Sequence, residues 1–183
     1  YRKAEKSYDK EKRRLERKLD MELQAKWICH PDDGKETPLV PVFWKEFQVK
    51  DGLKGARIRI TSHGIYETGI NGKIVTDHKF TPGLTSYYHR IQVQTYEVMD
   101  FLREGNNGYR LALLAELILE YEDYTEVIGT DESFLVGTGP VIRTDLREGE
   151  VYAAGIQPSG FKQAIQETFH TDAELIETEG VPV

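Results

Sequence analysis

An all-β sandwich is the fold this sequence predicts, and three observations predict it. Apolar and polar residues alternate in several short runs, among them Ile58–Ile60, Ile91–Glu97 and Glu116–Tyr121; a period of two gives each strand one buried face. Asn71-Gly72 separates two such runs, and this dipeptide best tolerates positive φ at both corners of a tight hairpin. Finally, residues 57–100 read in succession as hairpin, irregular loop and strand, one side of an antiparallel sandwich.

Length and composition bound the rest. A chain of 183 residues suffices for one domain with a real core plus appendages. With 39% hydrophobic and 30% charged residues, and no apolar run near the roughly 20 residues a membrane span needs, no membrane partner is expected. Cys29 is the single cysteine, which excludes an internal disulfide and is compatible with a reducing compartment. The net charge of −7 is unevenly spread. Residues 1–26 hold ten Lys/Arg against six Asp/Glu, a surplus of +4, leaving −11 for the remainder. An acidic body argues against nucleic-acid binding. The chain opens on Tyr1 rather than Met and reads as a processed or excised piece. Its first 26 residues are charged throughout, so no signal peptide is expected.

Three segments are expected: a charged helix or linker over 1–26, the sandwich over 27–156, and a connector over 157–183. Residues 2–24 lack Gly and Pro and are rich in helix formers. Leu15, Leu19 and Leu23 form a narrow stripe, so the segment reads as a solvated linker helix, with a coiled-coil or nucleic-acid-binding helix as the competing reading. Cys29 to Pro41 is a loop; Cys29-His30 beside Asp32-Asp33 has no second Cys/His pair at ligand spacing, so no zinc site is expected. Phe43, Lys45, Phe47 and Val49 share one face of the next strand, with Trp44 on the other. Asp51-Gly52 turns the chain into the run containing Ile58 and Ile60, with Gly64–Glu67 read as its continuation. Lys73–Val75 leaves the Asn71-Gly72 turn, Pro82-Gly83 breaks the chain, and Tyr87–Arg90 leads into the strand from Ile91. Phe101–Asn107 closes a short helical turn. Leu111–Tyr121 is ambiguous by periodicity alone, although its second half alternates strictly; Thr125–Gly129 is a returning strand.

Across the same region the order Gly64-x-Tyr66-Glu67, Asn71-Gly72-Lys73, Asp77, Pro82-Gly83, Thr85, Tyr87, Arg90, Gln94-Thr95-Tyr96, Leu102 and Glu104-Gly105-Asn106 resembles the N-terminal accessory domain of bacterial α-L-rhamnosidases, which are multidomain glycoside hydrolases. The resemblance resumes at Leu117–Tyr121, Thr130–Ser133, Gly139-Pro140 and Gly149-Glu150-x-Tyr152, covering most of the chain from Trp27 to about Tyr152. It implies a jelly-roll, galactose-binding-like sandwich, makes Leu114–Tyr121 a strand, and implies a rhamnose-containing glycoside and the parent's catalytic domain as partners, in the bacterial cytoplasm. Phe134 stands where the family usually has tryptophan, and Ala153 replaces the aspartate after Tyr152. The family's apolar strand ending in glycine-tryptophan, with the long loop after it, does not appear between Asn107 and Gly108. Either that strand and loop are deleted or they are missing from this version of the chain; a sandwich without a central strand would leave backbone groups unpaired, which favours the second reading, under which Asn107 and Gly108 are not bonded neighbours.

Chemistry is sparse. Glycoside hydrolysis needs two carboxylates flanking the scissile bond, which the resemblance assigns to a separate helical barrel absent from this chain. Glu67, Asp77, Asp131, Glu148 and Glu150 stand at turns and strand ends, where carboxylates are usually solvated or satisfy turn amides. Ser62-His63-Gly64 makes no nucleophile elbow, and Gly137-x-Gly139-Pro140 no phosphate loop. No catalytic residue and no metal ligand is assigned. Sugar sites on sandwiches combine an aromatic face with polar side chains, sometimes bridged by calcium; no cofactor is indicated here, calcium included. The carbohydrate-binding candidates are Tyr66, Asn71, Tyr87, Tyr88 and His89, with Trp44 as an outlying platform. The alternatives are packing of Tyr87–Arg90 on a neighbouring domain, and a purely structural domain that braces the catalytic barrel and binds no sugar.

Overall fold

The computed structural model describes residues 16–18, 23–32, 40–83, 85–86, 88–103, 105–111, 114–145, 149–167 and 173–178. Its strands are β1 (Glu16–Lys18), β2 (Ile28–Cys29), β3 (Pro41–Val49), β4 (Gly55–Thr61), β5 (Gly69–Ile70), β6 (Lys73–Ile74), β7 (Arg90–Glu97), β8 (Gly105–Leu111), β9 (Leu114–Glu120), β10 (Thr125–Gly129), β11 (Leu135–Thr138), β12 (Val141–Asp145), β13 (Gly149–Tyr152), β14 (Ser159–Gln163), β15 (Ile165–Gln166) and β16 (Glu174–Thr178), with one 3-10 turn at Met99–Phe101. One six-stranded sheet runs β1-β16-β7-β4-β9-β10 and a second runs β14-β11-β3-β8-β5-β6. Among the described residues, only the β16–β7 pairing in these sheets is parallel.

The period-two pattern builds the core. Phe43, Phe47 and Val49 of β3 and Val136 of β11 face Ala56, Ile58 and Ile60 of β4 and Leu117 and Leu119 of β9, with Phe134 and Ile70 wholly buried among them. Truncating a buried phenylalanine such as Phe43 to alanine costs about 3–5 kcal/mol, so these inward positions set the register. Leu114–Glu120 is a strand, paired with both β4 and β10; inter-sheet burial decides what its periodicity left open. At the β5–β6 hairpin both Asn71 (φ 52°) and Gly72 (φ 78°) are left-handed, as a tight primed turn requires.

Three expectations change. The helix expected over residues 2–24 falls mostly outside the described residues. Its described part, Glu16–Lys18, is strand β1, antiparallel to β16; a ladder of backbone partners outweighs helix propensities worth a fraction of a kcal/mol per residue. Gly64–Glu67, read as strand, is irregular, because Gly64 turns at φ 113° and the Tyr66 N–H donates to Thr81 O at 2.9 Å instead of to a strand. The stretch around Asn107 and Gly108 is strand β8, which pairs with β3 from Phe43↔Leu111 to Val49↔Gly105 and with β5 on its other side. Residues 157–183, expected as connector, contribute an edge strand to one sheet (β14), a partner for β2 (β15), and β16, whose Ile176 and Thr178 are buried beside β7.

Candidate functional site

The chain crosses from the edge of one sheet (β6) to the middle of the other (β7) through residues 75–89, and this crossing is fastened from beneath. Gln94 of β7 is fully buried; its Nε2 donates to Pro82 O at 2.9 Å and its Oε1 accepts from the Tyr66 hydroxyl at 2.9 Å. Thr81 Oγ1 donates to Tyr66 O at 3.0 Å. The Tyr66 and Tyr96 hydroxyls lie 3.3 Å apart. Burial, with Tyr96 adding to it, pushes the Tyr66 hydroxyl far above the usual tyrosine range, and burial raises Tyr96 too, so both stay neutral hydrogen-bonding groups. Within the loop the Gly83 N–H donates to Phe80 O and Thr85 Oγ1 to Arg90 O. The Thr81–Pro82 peptide is cis.

Above these bonds the loop shows apolar side chains to solvent. Tyr88 is 79% exposed and Phe80, left-handed at φ 59°, is 65% exposed, with Ile65 exposed as well; His78, Lys79 and His89 are exposed polar neighbours in the chain. Left-handed backbone is uncommon for a bulky residue and persists where the surroundings over-determine it.

The six sequence candidates therefore separate. Tyr88 and His89 are on this exposed surface, and Tyr87 lies outside the described residues. Tyr66 is 5% exposed and is spent on the Gln94 bond, so it offers no ring face to a ligand. Asn71 forms the hairpin corner, its Nδ2 donating to Phe101 O at 2.8 Å. Trp44 is half-buried on β3, in the other sheet, registered between Leu135 and Arg110. Phe80 escaped the sequence reading; its place beside Pro82-Gly83 and its apolar character in a polar loop were the available signals.

Among the described residues, the carboxylates singled out by the sequence are not brought together as a pair. Glu67 is exposed, 3.8 Å from Lys79; Asp77 and Glu150 are exposed, and Glu148 lies outside the described residues. Asp131 accepts from the Ser133 N–H at 2.9 Å and from its hydroxyl. Burial acts upward on its pKa, but those bonds and the charges of Lys45 and Lys26 hold it below the usual carboxylate value. The buried carboxylate is Glu116, which sequence reasoning missed: Arg59 Nη1 lies 3.4 Å from its Oε1, the Gln24 N–H donates to its Oε2 at 3.0 Å, and Glu177 approaches Arg59 Nε at 3.7 Å. This cluster ties the N-terminal segment and β16 to β4 and β9, which is a structural task. Its signal was the complementary alternation of Arg57 and Arg59 against Glu116 and Glu120. Beside Cys29, His30 Nδ1 accepts from the Asp32 N–H at 3.0 Å. Among the described residues no group of three or more His, Cys, Asp or Glu is placed to hold a metal ion.

Comparison with known proteins gives a consistent picture. The family model described as the alpha-L-rhamnosidase N-terminal domain matches residues 51–111 and 107–179. The alpha-L-rhamnosidase of Streptomyces avermitilis is 34% identical over 130 residues, covering 58% of this chain and 13% of that protein; that of Formosa agariphila is 27% identical over 168 residues, covering 73% and 18%. Among solved structures, the alpha-L-rhamnosidase from Dictyoglumus thermophilum superposes with a TM-score of 0.72 at 26% identity, covering 84% of this chain and 22% of that one. The native enzyme from Aspergillus terreus gives 0.69 at 27% identity, covering 80% and 21%. This chain thus spans less than a fifth of the length of the curated relatives it matches.

Proposed function

The chain belongs to the alpha-L-rhamnosidase N-terminal domain family, and from that premise we propose that it is a non-catalytic accessory domain of an α-L-rhamnosidase, a jelly-roll sandwich of galactose-binding type that helps position terminal L-rhamnose for the rest of the enzyme. The observation that carries this reading is the exposure of the aromatic side chains Tyr88 and Phe80 in a loop whose Pro82 carbonyl is held by the buried Gln94. A sugar ring stacks on an aromatic face while nearby polar groups meet its hydroxyls, and a surface fixed in advance loses little ordering entropy on binding. Such a domain needs no carboxylate pair of its own, in keeping with the solvated or structurally engaged carboxylates described above.

Titration of the 183-residue chain with L-rhamnose, followed by intrinsic fluorescence, tests the reading. A saturable response in the millimolar range that Tyr88→Ala weakens at least about tenfold, a loss of ~1.4 kcal/mol, is expected. Absence of any response would favour the second reading, a domain that braces the catalytic portion without touching sugar. That reading is favoured by a different observation, the exposed apolar ribbon β12–β13.

A further inference from the structure

Between β11 and β14 the chain leaves the sandwich to form β12 and β13, a two-stranded sheet of its own. The ribbon is closed at its base by the Ala153 N–H donating to Pro140 O at 2.8 Å. All four residues of β13 are exposed, Tyr152 by 60% and Val151 by 47%, and Ile142 and Ile156 are exposed beside them. Val141 pairs with Tyr152 and Arg143 with Val151. Successive residues of a strand point to opposite faces, so Tyr152 and Val151 make the ribbon apolar on both sides. An isolated two-stranded ribbon is marginal in water, and apolar residues gathered on a projecting element mark an interaction site.

We propose that the β12–β13 ribbon is an arm by which this domain docks into an apolar cleft on the remainder of the rhamnosidase polypeptide. The inference rests on the reading of the chain as a domain of a larger α-L-rhamnosidase, and not on the sugar-binding surface. Two observations select this occupant. The ribbon lies inside the segment 107–179 that the family model matches, and the relatives continue over a far larger body, of which this chain covers 13–19%. A second copy meeting the ribbon face to face would cover one side and leave the other wet, whereas a cleft takes both.

Hydrogen exchange decides the matter, measured on the 183-residue chain and on the full-length polypeptide that carries it. Docking predicts that the amides of residues 149–152 exchange at least about tenfold more slowly in the full-length protein, since protection tracks the free energy of local opening. The double variant Val151→Asp/Tyr152→Asp should abolish that difference while leaving the melting temperature of the 183-residue chain unchanged. Equal exchange in the two proteins would overturn the proposal. So would a dimer of the 183-residue chain that sedimentation detects and the double variant dissolves, because a second copy would then be the occupant. Activity of the full-length protein on an aryl α-L-rhamnoside is read separately: its absence overturns the rhamnosidase reading, and unequal exchange supports docking whichever way that assay falls.

Discussion

The loop of residues 76–89 and the ribbon of residues 141–152 both raise apolar side chains into solvent, but they are supported differently. Beneath the loop, the buried Gln94 side chain donates to Pro82 O, the Tyr66 N–H donates to Thr81 O, and the Thr81 hydroxyl donates to Tyr66 O. The ribbon is paired in neither of the two main sheets, and β13 is exposed along its whole length. A loop whose backbone is held from below loses less ordering entropy when it binds, which is the basis of the proposed sugar contact. An arm that lacks such support gains most from a partner that surrounds it. Exposure alone does not distinguish the two roles; the buried hydrogen bonds do.

The largest effect is expected where that support is removed. Gln94→Ala would leave Pro82 O and the Tyr66 hydroxyl without their buried partner, each such loss costing about 1–3 kcal/mol. Urea denaturation should show a destabilisation of about 3 kcal/mol, together with loss of the fluorescence response to L-rhamnose. A change below ~1 kcal/mol would mean that the loop does not depend on this bond.

A second expectation concerns the root of the same stretch. His63 stacks on Trp27, with ring centroids 4.4 Å apart, and burial lowers its pKa from the ordinary value of about 6.5. The folded protein therefore favours neutral imidazole. Its contribution is fully present above the unfolded value and is lost as pH falls from about 6.5 towards the lower folded pKa, because the unfolded chain takes up the proton first. The melting temperature should drop between neutral and mildly acidic pH, and less so in His63→Phe, which keeps a ring against Trp27. Equal drops in the two proteins would assign the pH dependence to other groups.

The smallest effects on stability are expected at the two exposed surfaces. Tyr88→Ala and Val151→Asp/Tyr152→Asp should each change the stability of the 183-residue chain by no more than about 0.5 kcal/mol, as is usual for exposed sites. Urea midpoints shared with the parent chain would confirm that these side chains are available for binding; a loss of ~2 kcal/mol or more at either would mean that they support the fold.

Much of the architecture was legible because burial on one face of a sheet imposes a period of two. Phe43–Val49, Ile58–Ile60 and Ile91–Glu97 appear as strands where the alternation placed them, and Asn71-Gly72 forms the hairpin for the conformational reason that singled it out. What escaped detection was non-local. Glu16–Lys18 and Glu174–Thr178 are polar, helix-compatible or connector-like sequences made into strands by partners some 160 residues away. The site was less legible still, since an aromatic in a loop carries no mark of whether it points in or out. Tyr66 and Tyr88 looked alike in sequence; a buried glutamine on a neighbouring strand claims the first and leaves the second exposed. Phe80 went unnoticed because its exposure depends on a left-handed backbone set by the turn around it.

The most direct test of the central claim is amide chemical-shift mapping of the 183-residue chain during titration with L-rhamnose. Saturable shifts in the millimolar range centred on Tyr88, His89 and Phe80 are expected, with residues 141–152 unmoved. An unchanged spectrum at saturating sugar, or shifts confined to the ribbon, would contradict that claim.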